Sequence, residues 1–187
     1  MSAKVYRTLI CTFCLLSGCI LSVLGDTKSF GPKDVPHDTV LLNAQLDSAS
    51  LMVGRHDTTV LYFLNSIVSR TKAIKYRRGE ADALFILGKY YKNKDSIDLA
   101  FPTYNNSYQL FKSLNDQRGM RNCLNAIGIL KLQASEFEAS TGYFKQALEI
   151  ATKLNDKKKI SDATTNLGIS YENMGDYPKA LAFFLKV

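Results

Sequence analysis

The sequence predicts an all-α protein, a solenoid of antiparallel helix pairs whose last copy is truncated. Three observations predict it. Gly88, Gly128 and Gly168 are evenly spaced, and their surroundings repeat with them, which marks stacked copies of one supersecondary unit. Apolar residues recur at helical spacing, as Met120, Cys123, Leu124, Ile127 and Leu130 and then as Phe137, Phe144, Ala147, Leu148, Ala151 and Leu154. Each set forms a single stripe of the kind an amphipathic helix packs on a neighbour. After the leader, no stretch alternates apolar and polar residues well enough to predict a strand.

Residues 1–25 read as an export leader. Lys4 and Arg7 open it, the stretch from Leu9 to Leu24 carries no charge, and Asp26-Thr27-Lys28 turns polar. That is the layout of a signal peptide, with release after Gly25. Leu16-Ser17-Gly18-Cys19 also matches a bacterial lipobox, which makes Cys19 a possible lipid attachment point. An uncleaved anchor is the third reading, although the run is short of the roughly 20 residues that span a bilayer. All three export the chain, and any membrane contact runs through this leader. Cys11, Cys14 and Cys19 fall within it, leaving Cys123 alone as a small buried hydrophobe that forms no internal bridge.

Residues 26–37, with Gly31, Pro32 and Pro36, read as a flexible lead-in. Residues 38–79 form a degenerate first copy, in which Leu64, Ile67, Ala73, Arg78 and Gly79 echo Tyr104, Ser107, Ser113, Arg118 and Gly119. Copies follow at 80–119 and 120–159, and a truncated one at 160–187. In the 120–159 copy the helices are expected at about 117–133 and about 136–154. Ser135 with Glu138 has capping-box spacing. Ser96 and Asp176 are expected to cap in the same way, Asp116 and Asp156 to cap the following first helices, and Pro178 sits in a first turn. The connectors are short enough that neighbouring helices pack antiparallel.

The three glycines sit mid-helix, where each costs roughly 1 kcal/mol against alanine. Close approach of the second helix is the compensation. Ala100, Ser140 and Ala180 keep that crossing tight, and Tyr104, Phe144 and Phe184 fill it one turn later.

Leu167-Gly168-Ile169-Ser170-Tyr171 followed by Ala180 and Phe184 resembles the tetratricopeptide repeat pattern, as does Leu87-Gly88-Lys89-Tyr90-Tyr91 followed by Ala100 and Tyr104. The middle copy departs, with Lys131 for the tyrosine and Ser140 for the alanine. The inter-repeat proline is absent, and the period exceeds the usual length of about 34, which predicts a longer second helix as in extended repeats of bacterial regulators. HEAT and armadillo arrays, at about 40–47 residues per copy, fit the length but not the small-residue crossing.

The resemblance implies a right-handed superhelix whose first helices line a concave face. The inward side chains would be Asp82, Phe85, Lys89 and Lys92, then Asn122, Asn125, Ile129 and Gln133, then Asp162, Thr165, Ile169 and Glu172. Such a groove suits an extended or helical peptide. It does not match the carboxylate clamp of chaperone-binding members, because Phe85 and Ile129 occupy places where basic or asparagine side chains are expected.

Nothing in the sequence predicts an enzyme. His37 and His56 have no ligand-spaced partners, so neither a metal nor another cofactor is expected, and Gly88-Lys89 is not a phosphate loop. The net charge of +7 becomes +5 without Lys4 and Arg7, 22 basic residues against 17 acidic. The excess gathers at Lys72, Lys75, Arg77 and Arg78 and at Lys157, Lys158 and Lys159, where it reads as solubilising turns, the alternative being a basic rim for an acidic partner or a membrane surface. Nucleic acid is not an expected partner of an exported chain. Asp38-Thr39-Val40, Asp47-Ser48-Ala49 and Asp95-Ser96-Ile97 resemble a weak O-glycosylation motif of Gram-negative exported proteins.

Val187 falls inside the second helix of the last copy and leaves Leu181, Phe183 and Phe184 uncovered. That predicts a fragment of a longer protein or a truncated reading frame, with self-association through the exposed helix as the alternative. The reading is therefore an exported scaffold of the periplasm or cell envelope that binds a protein or peptide. The alternative is the sensor portion of a bacterial membrane signalling protein, a histidine kinase or transcription regulator.

Overall fold

The computed structural model describes residues 35–54 and 59–186. The leader with Cys19, His56 and Val187 lie outside the described residues. The repeats lie in one unit of the chain, which begins at Asp38.

Eight helices and no strand occur among the described residues: α1 (Val35–Met52), α2 (Thr59–Ala73), α3 (Arg77–Asn93), α4 (Ile97–Ser113), α5 (Gln117–Gln133), α6 (Phe137–Lys153), α7 (Lys157–Asn173) and α8 (Tyr177–Phe184). From α2 onward each helix packs on the next, and α5 also touches α3 and α7. Leu42, Leu46 and Ala49 of α1 share one core with Val60, Leu64 and Ile67 of α2 and Ile86, Leu87 and Tyr90 of α3. The result is an α-solenoid. No helix among the described residues is long and apolar enough to cross a membrane.

The turns carry a period of their own. Lys75, Asp95, Asn115, Ser135, Asn155 and Gly175 all have positive φ, between 51° and 78°, and follow one another at half the spacing of the mid-helix glycines. At each turn the next residue donates its N–H to the carbonyl five residues back, as from Tyr76 to Thr71, Asp116 to Phe111 and Asp176 to Tyr171 at 2.8–2.9 Å. These are Schellman closures, which satisfy the last carbonyls of one helix. Since the same geometry closes turns within and between copies, the backbone pattern recurs twice for each recurrence of the side-chain pattern.

Two expected caps are corrected by these turns. Ser135 takes the left-handed position at φ 60°, so Glu136 becomes the N-cap of α6 and makes no side-chain cap bond. Ser96 is the N-cap of α4 but does not cap with its side chain either. Asp116, Asp156 and Asp176 do accept from the N–H groups of Gly119, Lys159 and Lys179, at 3.0, 3.2 and 3.2 Å.

Mid-helix glycines face aromatic rings. A Cβ on Gly88 would lie 2.6 Å from the Tyr104 ring and one on Gly128 2.6 Å from the Phe144 ring, and Gly168 meets Phe184 in the same way. Tyr104 and Phe144 are fully buried, whereas Phe184 stays 39% exposed on α8. Burying an aromatic ring of this kind contributes roughly 1.5–3 kcal/mol. Ala100 and Ser140 are buried beside these rings, and Ala180 is 3% exposed. Gly119 makes an equivalent contact with Phe111 between α4 and α5, so close approach also joins one copy to the next.

Candidate functional site

Because α5 touches both α3 and α7, the first helices of three copies form a continuous layer. Equivalent residues of successive copies then fall in rows: Asp82, Asn122 and Asp162; Phe85, Asn125 and Thr165; Lys89, Ile129 and Ile169. All nine are half-buried.

A cavity of about 360 Å³ opens on this layer. Phe85, Lys89 and Lys92 line it from α3, Asn122, Asn125 and Ile129 from α5, and Asp162 from α7, so seven of the twelve groove residues expected from the sequence come together. Tyr104 and Ala147, from second helices, also line it. Asp82 instead lines a neighbouring cavity of about 500 Å³ between α1 and α3, which shares Phe85 with the first. Thr165, Ile169, Glu172 and Gln133 line neither cavity. Gln133 is one residue out of register with Lys92 and Glu172, and both it and Glu172 are exposed.

Sequence reasoning missed Arg121 and Lys159. Arg121 is only 5% exposed, yet it lines the first cavity. Its guanidinium donates to Asp156 at 2.8 Å and to Asn122 Oδ1 at 3.2 Å, while its Nε has no hydrogen-bond partner among the described residues. Lys159 lines the cavity and pairs with Asp162 at 2.7 Å. The signal was available: Arg121 stands where the other copies have Ala81 and Ser161.

Polar contacts stiffen the wall. Asn166 donates to Asn125 across two copies at 3.0 Å, and Arg78 binds Asp82 at 2.9 Å and also pairs with Asp116. Burial lifts the Asp82 carboxyl above its ordinary pKa despite Arg78, and Asp116 and Asp47 add to the rise. Cys123 is fully buried beside Ser107; burial pushes its thiol up to about 12, so it stays protonated at neutral pH and is a poor nucleophile. Among the described residues no group of three or more His, Cys, Asp or Glu side chains could hold a metal ion.

No family model matches the chain. Over 141 residues it is 21% identical to tetratricopeptide repeat protein 29 of Trypanosoma brucei brucei, a match spanning 75% of this chain and 29% of that protein. Its fold is similar to the crystal structure of aspartyl phosphate phosphatase F from Bacillus subtilis, with a TM-score of 0.72 at 15% identity over 78% of this chain and 38% of that one. It is also similar to BtubC (BKLC) from P. vanneervenii, with a TM-score of 0.54 at 17% identity over 76% of this chain and 70% of that one. The chain thus spans under a third of the curated relative and well under half of the phosphatase F structure. Together these likenesses support a tetratricopeptide-like helical-repeat fold.

Proposed function

We propose that this chain is an exported scaffold that holds a protein or peptide segment along the inner rows of its first helices, without making or breaking a bond. The observation that carries this is the cavity whose lining comes from α3, α5 and α7, three successive copies at once. A site assembled from several repeats reads several ligand residues together, so affinity sums over modest contacts. Phe85 and Ile129 offer apolar footing, Asn122 and Asn125 offer amide donors and acceptors, and the lysines offer charge. One fold neighbour is named as a phosphatase, but here the groove supplies recognition and no reactive centre.

Selection of a random peptide library on the full chain tests the groove. Enriched peptides should lose binding to Asn125→Trp, which fills the cavity. They should keep binding to Glu149→Trp on α6, where the native side chain is 65% exposed. Failure to enrich any sequence, or equal loss in both variants, refutes the groove. Export is tested separately: the mass of the mature N-terminus distinguishes release after Gly25, lipid on Cys19 and a retained leader.

A further inference from the structure

The side chains of the first cavity are strongly unbalanced in charge. Lys89, Lys92, Arg121 and Lys159 line it against the single carboxylate of Asp162. Two of these cations are already engaged, Arg121 with Asp156 at 2.8 Å and Lys159 with Asp162 at 2.7 Å. Lys89 and Lys92 enter no ion pair among the described residues. Arg121 adds a second, independent sign. It is more than nine-tenths buried, lines the same cavity and keeps one N–H without an acceptor. A buried donor is held at a cost unless something accepts from it.

Across Phe85 the sign changes, since the neighbouring cavity carries Asp47 and Asp82 against Arg78 alone. A ligand laid along the groove therefore meets a positive stretch over α3, α5 and α7 and a carboxylate-rich stretch beside α1.

We propose that the partner segment is acidic: an internal stretch of protein whose side-chain carboxylates seat on Lys89 and Lys92 near Arg121, and whose apolar residues rest on Phe85 and Ile129. This rests on the groove reading above. Lys89 and Lys92 lie three positions apart on one helix, about 4.5 Å along its axis. Carboxylates two apart on an extended segment lie about 6.6 Å apart, and flexible lysine side chains span the difference. Two unpaired lysines call for more than the single charge of a chain terminus. The acidic stretch is excluded from the Asp47 and Asp82 side by repulsion, which fixes where along the groove it sits.

The test uses the full chain and a fluorescein-labelled peptide of alternating Glu and Leu, amidated at its C-terminus, with binding read by anisotropy. Lys89→Glu/Lys92→Glu should weaken binding by roughly tenfold or more, and rising salt should weaken the wild type. Lys89→Gln/Lys92→Gln should give a smaller loss in the same direction, which covers failure of the reversal to fold. The charge-matched control Lys157→Glu/Lys158→Glu lies outside the cavity lining and should leave affinity within about threefold. Equal loss in the control overturns the proposal, as does equal binding of a peptide with Lys in place of Glu. So does binding by the free-acid peptide alone, or equal competition by a single-stranded oligonucleotide. If library selection instead yields neutral or basic peptides that still depend on Asn125, the groove stands and the acidic assignment falls.

Discussion

The contact between Gly128 and Phe144 makes a signed prediction, because the neighbouring helix holds an internal control. A Cβ on Gly128 would lie 2.6 Å from Phe144 Cε1 and 2.8 Å from Cδ1, and the ring is fully buried and cannot swing away. Overpacking of this kind costs about 1–3 kcal/mol, and the immobile ring places Gly128→Ala toward the upper end. Removing a mid-helix glycine returns roughly 1 kcal/mol of helix propensity. The expected net loss is about 1–2 kcal/mol, or roughly 2–8 °C in melting temperature at about 2–4 °C per kcal/mol for a chain of this size. Gly142 lies within α6, and nothing stands within 4 Å of its Cβ position. Gly142→Ala should therefore stabilise, by about 0.5–1 kcal/mol. Urea and thermal unfolding followed by circular dichroism at the helix band measure both. In a double-mutant cycle, Phe144→Leu should offset part of the Gly128→Ala loss, with a favourable coupling of about 1 kcal/mol. If Gly128→Ala stabilises as Gly142→Ala does, the close crossing is not what the glycines are for, and the packing account fails.

Three further outcomes follow from the turns and helices. Ser135 holds φ 60° without being glycine, so Ser135→Gly should raise stability by about 0.5–1 kcal/mol. Gly175→Ala should lower it by a similar amount or more, although its side chain would meet open space; equal effects of the two in a urea titration would remove the turn argument. Pro102 lies inside α4 and is exposed, so Pro102→Ala should add about 1–3 kcal/mol by restoring a helix hydrogen bond, and an unchanged melting temperature would count against it. The Lys179 ammonium and then the Lys179 N–H hold the Asp176 carboxyl below the usual carboxylate range. A depressed folded-state pKa gives stability that is present above the unfolded value of about 4 and lost as pH falls through the folded one. Asp176→Asn should thus melt earlier than wild type at neutral pH, with the gap closing in acid; a gap that is constant with pH would refute it.

What the sequence revealed and what it hid divide along one physical line. Gly88, Gly128 and Gly168 with their aromatic partners were legible because each contact recurs in the next copy, and expected ends at about 117–133 and 136–154 became Gln117–Gln133 and Phe137–Lys153. The shorter backbone period is hidden because its left-handed residues are Lys, Asp, Asn, Ser, Asn and Gly in turn, which share a dihedral angle but no single residue type. Ser135 misleads for the same reason: its spacing from Glu138 suits a cap, but the turn needs that residue one position earlier. The face came from the family resemblance and its rows from register, with Gln133 one position out. Their charge did not, because it comes from positions that break the repeat. Lys89 stands where the other copies have Ile129 and Ile169, Lys92 where they have Leu132 and Glu172, and Arg121 where they have Ala81 and Ser161. Stacking needs each copy to resemble its neighbour, whereas a directional ligand needs the copies to differ. On the proposed reading the periodic residues report the fold and the aperiodic residues on the same face report the partner, so the cations gathered in one cavity would carry more about function than the motif that marks the repeats.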